Sequence, residues 1–222
     1  MPFPCSIVHE APWLCVSFSH PARVASWAVN RPGLVTAQQL LWREVKNKDL
    51  PIDVDPVAWL EKELEARDGL DAVTMLTSCD IGNYCVADAE VETVRVKAIV
   101  TVGLSNAERI GRRLDWSKEG WGTINLAVII DQGLEDWALL EAMSIATEAR
   151  TAAVCDADIQ IATGRATGTG TDCVAVVAPE GEGAYAGLHT ALGEAIGHSV
   201  YASVSEAIGK WRKTRPGIAF PG

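Results

Sequence analysis

The sequence predicts a mixed α+β fold in a single domain covering residues 1–222, with a central mixed sheet, helices packed on it and a helical C-terminal region. Three observations lead there. From Ala72 to Asp131 the chain is a succession of short apolar runs rich in β-branched residues, as strands are. Two later stretches, Glu135–Val154, rich in alanine, and Ala184–Lys213, with Gly187, Gly193 and Gly197, are long enough for helices. The first of these lies between two apolar runs, "TINLAVII" and "CVAVVA", the order of a crossover between parallel neighbours.

Taken in order, "WLCVSF" (Trp13–Phe18) and "RVASWAV" (Arg23–Val29) read as two strands divided at "SHPA", whose proline marks a turn, and paired as a hairpin. Thr36 is placed to cap a helix running to about Asn47, with Leu40, Leu41 and Val45 on one face. A second helix has Asp55 as its cap, Pro56 in the first helical position, Val57, Leu60 and Leu64 as its apolar stripe, and Gly69 as its stop. Strands follow at "AVTMLTS", "YCVADAEV", "TVRVKAIVTVGL" and "GTINLAVIID". In the third, Val94, Val96, Ala98 and Val100 alternate with Arg95 and Lys97, which predicts one wet face. "TINLAVII" is more continuously apolar and reads as a central strand buried on both sides. The helix Glu135–Val154, the strand Cys173–Ala178 and one or two helices within Ala184–Lys213 complete the chain, with "RPGIAFPG" as a loose terminus or surface strap. Nothing repeats, and no low-complexity linker divides the halves.

At 222 residues, 48% hydrophobic and 22% charged, the composition is that of a globular domain with a sizeable core. A formal net charge of −10 disfavours nucleic acid and anionic lipid as partners, since both reward basic patches. The opening residues lack the basic start and continuous apolar stretch of a secretory signal, and no run approaches a membrane span, so a soluble cytoplasmic protein is expected. Six cysteines occur without a CxxC pair, so zinc-site spacing is missing. Cys155 and Cys173 read as small core residues, and Cys79 is a candidate nucleophile beside the plainer reading of an inert thiol.

"RATGTGTD" (Arg165–Asp172) alternates threonine with glycine ahead of an apolar run. Extended, it would line Thr167, Thr169 and Thr171 along one edge at roughly 7 Å intervals, with Gly168 and Gly170 leaving the other side open. It lacks the lysine of a phosphate loop and the strand–GxGxxG–helix order of a dinucleotide site, so it is either a polar grip or a softened strand entry.

Five blocks in register, "TVGLSNAERIG", "GTINLAVIID", "ATEARTAAV", "ATGTGTDCVAVVA" and "YAGLHTALGEAIG", resemble the adenosylcobinamide amidohydrolase family of corrinoid salvage. The segments before Thr101 are similar more loosely. The resemblance implies hydrolysis of the amide between a corrin side chain and its aminopropanol arm, giving adenosylcobyric acid. It implies a small-molecule corrinoid substrate and no metal or other cofactor of the protein's own, the cobalt belonging to the substrate; it leaves an oligomer open.

Amide hydrolysis needs an activated nucleophile, a stabilised oxyanion and a protonated leaving amine. His189, inside "YAGLHTALGE", is the candidate general base or acid, against the plainer reading of a structural histidine. Glu148 and Glu194 sit in largely apolar helical stretches where burial would suit them to acid or base work, and Asp172 can orient a base or a water. Ser105, Asn106, Asn125, Thr167, Thr169 and Thr171 are the candidate substrate-binding groups, able to pair with corrin amides without carrying charge. Activated water is favoured over a threonine nucleophile, which is uncommon without an adjacent base or freed amine. The alternatives are a corrinoid carrier that cuts nothing and a cysteine- or threonine-nucleophile hydrolase of another amide. The carrier's DxHxxG signature is missing around His189. All these readings require the threonine segment and His189 to face one cavity.

Overall fold

The computed structural model describes residues 5–46, 48–51, 53–114 and 122–214. In chain order its strands are β1 (Cys5–Glu10), β2 (Trp13–Ser26), β3 (Gly33–Glu44), β4 (Val73–Thr77), β5 (Cys85–Val91), β6 (Val94–Val102), β7 (Ala107–Glu108), β8 (Ile124–Ile130), β9 (Gln160–Ile161), β10 (Gly164–Arg165), β11 (Gly168–Thr169) and β12 (Cys173–Ala178). The helices are α1 (Pro56–Glu65), α2 (Asp136–Asp156) and α3 (Ala191–Thr214). The main sheet has the order β4-β3-β2-β12-β8-β6-β5, with β1 added against β2, and it mixes parallel and antiparallel pairs. The predicted mixed α+β architecture with a helical C-terminal region is the one observed.

Alternating burial divides this sheet into two packed layers. Val96, Ala98 and Val100 of β6, Leu126 and Val128 of β8, and Val174 and Val176 of β12 face α2 and α3. Their neighbours Ile99, Ala127, Ile129, Ala175 and Val177 face the other way and share a core with Leu14, Val16, Leu40, Trp42, Val73 and Met75 from β2, β3 and β4. Beyond that second layer, Leu41 turns outward to meet Leu60 and Leu64 of α1. The order is therefore α2/α3, layer, layer, α1, and Trp42 is wholly buried between the layers.

Helix α1 forms as its caps dictate: the Asp55 carboxylate accepts from Val57 N at 3.0 Å, and Gly69 N returns to Leu64 O at 2.8 Å. In α2 the buried residues are largely alanines, Ala138, Ala142, Ala146 and Ala153, which bring the helix close to α3 and β12. Strands β8 and β12 pair in parallel with α2 between them, as the crossover pattern requires.

Two expectations about the first third of the chain fail. The helix expected from Thr36 to about Asn47 is strand β3, up to Glu44; Asn47 itself lies outside the described residues. Leu40 and Trp42 enter one core and Leu41 another, so the segment is apolar on both sides and mimics a helical stripe, and pairing with β2 and β4 decides its state. The two strands expected on either side of "SHPA" are the single strand β2. Its partner in the hairpin is β3, and its register shifts between Ser17 and Ala22, the kind of irregularity at which Pro21 is tolerated. Before the shift β2 pairs with β1, and after it with β12, so this one strand joins both layers. The tail "RPGIAFPG" lies outside the described residues.

Candidate active site

One end of the layered sheet gathers the chain segments that leave β4 and β6 and those that enter β8 and β12. Asn125, wholly buried at the start of β8, donates from Nδ2 to Leu76 O of the other layer at 2.8 Å and holds the layers together there. The Thr123 hydroxyl lies 2.8 Å from Thr171 O and 3.1 Å from Asn125 Oδ1, and Thr171 Oγ1 donates to Gly122 O at 2.9 Å. Thr123 O in turn receives Gly103 N at 2.9 Å and the Cys79 thiol at 3.4 Å. Cys79 N is itself fixed by Thr77 Oγ1 at 3.1 Å.

Asp172 braces this end. Its carboxylate accepts Ile124 N at 3.1 Å, Thr169 N at 3.0 Å and the Thr169 hydroxyl, and it pairs with Arg150 from α2. The two side chains are only 9% and 11% exposed, and burial lowers the Arg150 pKa from its ordinary value. The Asp172 carboxylate is thereby spent on the chain's own groups, which leaves little capacity to orient a water.

Beside Cys79 opens a hollow of about 190 Å3. Ser78, Cys79, Asp80, Asn83, Gly103 and Ser105 form one wall, and Ala207, Trp211 and Thr214 of α3 stand opposite. Two glycines make the approach close enough. A Cβ on Gly103 would collide with Cys79 Sγ, and one on Gly122 would come within 2.7 Å of Gly103 O, 2.8 Å of Asn106 Oδ1 and 2.9 Å of Ser105 N. Asn106 is 6% exposed, and among the described residues its Oδ1 has no hydrogen-bond partner. The hydroxyl of Thr101, which sits opposite Asn125 across β6 and β8, is likewise buried without one. Such orphaned groups cost about 1–3 kcal/mol each unless a water or another partner meets them.

Seven of the predicted site residues thus fall at this end: Ser105, Asn106, Asn125, Thr167, Thr169, Thr171 and Asp172. The threonines, however, point at their own chain. Thr167 Oγ1 accepts Ile110 N at 2.8 Å, Thr169 binds Asp172, and Thr171 binds Gly122 O. Gly168 leaves no open side either, since a Cβ there would meet Asp172 and Arg150.

His189, Glu148 and Glu194 do not join them. The threonine segment enters β12 at its start, whereas the segment carrying His189 follows the strand's end and packs on the first turns of α2, through Ala186 N to Glu141 Oε2 at 2.6 Å and Trp137 Nε1 to Ala184 O at 3.1 Å. Six residues of strand, roughly 20 Å, intervene. Among the described residues, neither of the two hollows beside these elements is lined by both segments. Glu148, His189 and Glu194 are all exposed, so the burial that would have suited the two carboxylates to acid or base work is missing. Glu148 accepts from Ser144 Oγ at 3.3 Å and edges a second, shallower hollow of about 520 Å3 between α2 and α3, with Leu188, His198 and Tyr201.

Sequence reasoning underweighted Cys79 and passed over Ser78, Asp80 and Gly103. The available signal was "TSCD" directly after a strand, a short polar run with a thiol where a strand must end. His9, ranked below His189 because it lies in a loosely similar segment, has its Cε1 3.4 Å from where a Cβ on Gly82 would stand, beside the turn carrying Asp80 and Asn83.

A family model described as adenosylcobinamide amidohydrolase matches residues 5–216. The "Uncharacterized protein MJ1613" of Methanocaldococcus jannaschii is 30% identical over 240 residues, which span 94% of this chain and 90% of that protein. Among solved structures, the PH0078 protein from Pyrococcus horikoshii OT3 superposes with a TM-score of 0.48 at 8% identity, covering 92% of this chain and 83% of that one. A Burkholderia sp. beta-aminopeptidase does so at 0.46 and 12%, covering 93% and 83%. Among the described residues, no helix is long and apolar enough to cross a membrane.

Proposed function

The chain belongs to the adenosylcobinamide amidohydrolase family, and from that premise we propose that it hydrolyses the amide linking a corrin side chain to its aminopropanol arm in adenosylcobinamide, releasing adenosylcobyric acid and the amino alcohol. The observation that carries the reading is the hollow beside Cys79. Its volume of about 190 Å3 is below the range of about 300–1,000 Å3 that encloses a whole drug-sized ligand, so it suits one arm of a large substrate. The macrocycle and its adenosyl ligand then rest outside, and cobalt enters only as part of the substrate.

The walls of the hollow suit an amide. The Ser105 hydroxyl is a donor for the oxyanion that forms as the carbonyl carbon becomes tetrahedral. Asp80 is the carboxylate among the lining residues; its oxygens accept Gly82 N at 2.9 Å and Asn83 Nδ2 at 3.0 Å, which fixes it at the wall as the group to pass a proton toward the departing amine. Thr169, Thr171 and Asp172 serve by holding the rim in shape.

The test is to incubate the purified protein with adenosylcobinamide and follow adenosylcobyric acid by mass. Formation of the acid supports the reading. A corrinoid that binds and stays intact would replace it with a carrier, and neither binding nor product would remove the substrate assignment.

A further inference from the structure

We propose that the outward faces of α2 and α3 form the contact between two copies of this chain, joined about a two-fold axis that runs through the hollow between these helices. The exposed positions of α2 recur once per turn at Trp137, Leu140, Ser144, Glu148 and Ala152, and those of α3 include His198, Tyr201, Ala202 and Ser205. The outer face of a surface helix ordinarily carries charge. In a chain with a formal net charge of −10, this face exposes a single carboxylate between Trp137 and Ala152 and none between His198 and Ser205. Tyr185 and Leu188, from the segment before α3, extend it: the Trp137 indole donates to Ala184 O at 3.1 Å, and Leu188 lines the hollow together with Tyr201. Trp137, Leu140, Tyr185, Leu188 and Tyr201 are 40% to 75% exposed.

Three features of the face select a second copy as its occupant. The first is area. A covered aromatic side chain amounts to about 150–250 Å2, so these five side chains expose on the order of 500 Å2. That is most of the roughly 800 Å2 each partner gives to a stable interface. The second is shape. Ala149, Ala152, Gly197 and Ala202 line the hollow of about 520 Å3 alongside the protruding Leu188 and Tyr201, so one face carries both recess and knob. A two-fold axis sets a patch against itself, which requires that the same patch supply both halves of every contact. The third is polar pairing. Glu148 of α2 and His198 of α3 line this hollow, yet among the described residues no hydrogen bond joins them, and the Glu148 carboxylate accepts from Ser144 Oγ alone. Across the axis each Glu148 meets the His198 of the other copy, imidazole N–H to carboxylate. The neighbouring carboxylates are held within the chain, Asp136 by Arg23, Glu141 by Ala186 N and Asp156 by the Tyr201 hydroxyl, and Glu194, one turn before His198, does not line the hollow. The contact shares no lining residue with the hollow beside Cys79 and does not depend on the reaction proposed there.

The experiment is sedimentation equilibrium of the purified full chain from about 1 to 100 μM, the span over which a dimer of micromolar strength dissociates. The expected mass at the upper end is twice the 23.7 kDa of one chain. The substituted positions are all exposed, so the fold is retained, which far-UV circular dichroism checks. Leu188→Asp buries an unpaired charge and should weaken the dimer at least about 100-fold, and His198→Glu, which sets carboxylate against carboxylate, at least about tenfold. The swap of Glu148→His with His198→Glu should return association to within about threefold of the parent. Ile110→Asp, at an exposed apolar position outside this face, should leave it unchanged. A chain that stays monomeric at about 100 μM overturns the proposal and leaves the face to a partner of another kind. A dimer that Leu188→Asp and His198→Glu do not weaken overturns it as well, since its contact then lies elsewhere. A swap as weak as His198→Glu alone overturns the two-fold pairing.

Discussion

Arg150, near the end of α2, and Asp172, at the entrance of β12, form a nearly buried ion pair 22 residues apart in the chain. The same carboxylate holds the first amide of β8 and both the amide and hydroxyl of Thr169, so one side chain aligns a helix, a strand start and a turn. Removing one partner of such a pair leaves the other charge desolvated and uncompensated. Asp172→Ala is expected to lower unfolding stability by about 3–5 kcal/mol in urea titrations. A loss below about 1 kcal/mol would show that Arg150 finds water instead and that the brace is not one.

Gly103→Ala separates shape from chemistry at the hollow. The added methyl meets Cys79 Sγ, a side chain able to turn away, so the fold should survive while the thiol leaves its place. The expected outcome is loss of adenosylcobyric acid formation by at least about tenfold, with the thermal transition within a few degrees of wild type. Gly122→Ala meets backbone at Gly103 O and Ser105 N and should cost stability as well. Equal activity in both variants and the parent would place the reaction elsewhere.

The alkaline limb of stability should report Cys173. Burial raises its thiol pKa from 9.0 to about 11, with the Ser26 hydrogen bond opposing, and burial raises Cys5 and Cys85 in the same direction. Below pH 9 the thiol is protonated in both states and its contribution is complete. Between pH 9 and about 11 only the unfolded chain ionises, so stability falls as pH rises, at up to about 1.4 kcal/mol per pH unit for each such group. Urea midpoints measured from pH 8 to 11 should drop more steeply in the parent than in Cys173→Ala. Parallel slopes would mean that the thiolate is tolerated where it lies.

His189→Ala and Glu194→Ala, both exposed and both at the far end of β12 from Cys79, should keep kcat/KM for adenosylcobinamide within about threefold of wild type. A loss of about 100-fold or more in either would restore the imidazole or the carboxylate as the acid–base group and displace the hollow beside Cys79 as the reaction centre.

The parts of the fold legible in sequence are those in which local chemistry and tertiary pairing agree. The Asp55–Pro56 start of α1 and the apolar stretch Leu126–Ile130 of β8 are such cases, whereas the wet face expected of β6 stops at Lys97, because Ile99 and Thr101 are buried between the layers. Strand β3 was illegible because a segment buried on two faces loses the period-two signature that marks a half-buried strand. The site was legible by segment and not by residue. "GLSN", "TIN" and "TGTGTD" do meet at one end, yet their threonine hydroxyls are turned inward, which depends on acceptors such as Glu108 O and Gly122 O brought from 59 and 49 residues away. His189 attracted attention as a titratable group in a familiar motif, and only the direction of β12 reveals that it leaves the sheet at the wrong end.

The hollow beside Cys79 has Ala207, Trp211 and Thr214 as its far wall, so its last side is supplied by the closing turns of α3 while its nucleophile candidate was synthesised more than a hundred residues earlier. The strands that surround Cys79 all precede this helix in the chain, so they are complete before the far wall of the hollow is synthesised. The hollow gains its far wall only when that final helix docks, so the binding space on which the function proposed above depends is a product of complete folding.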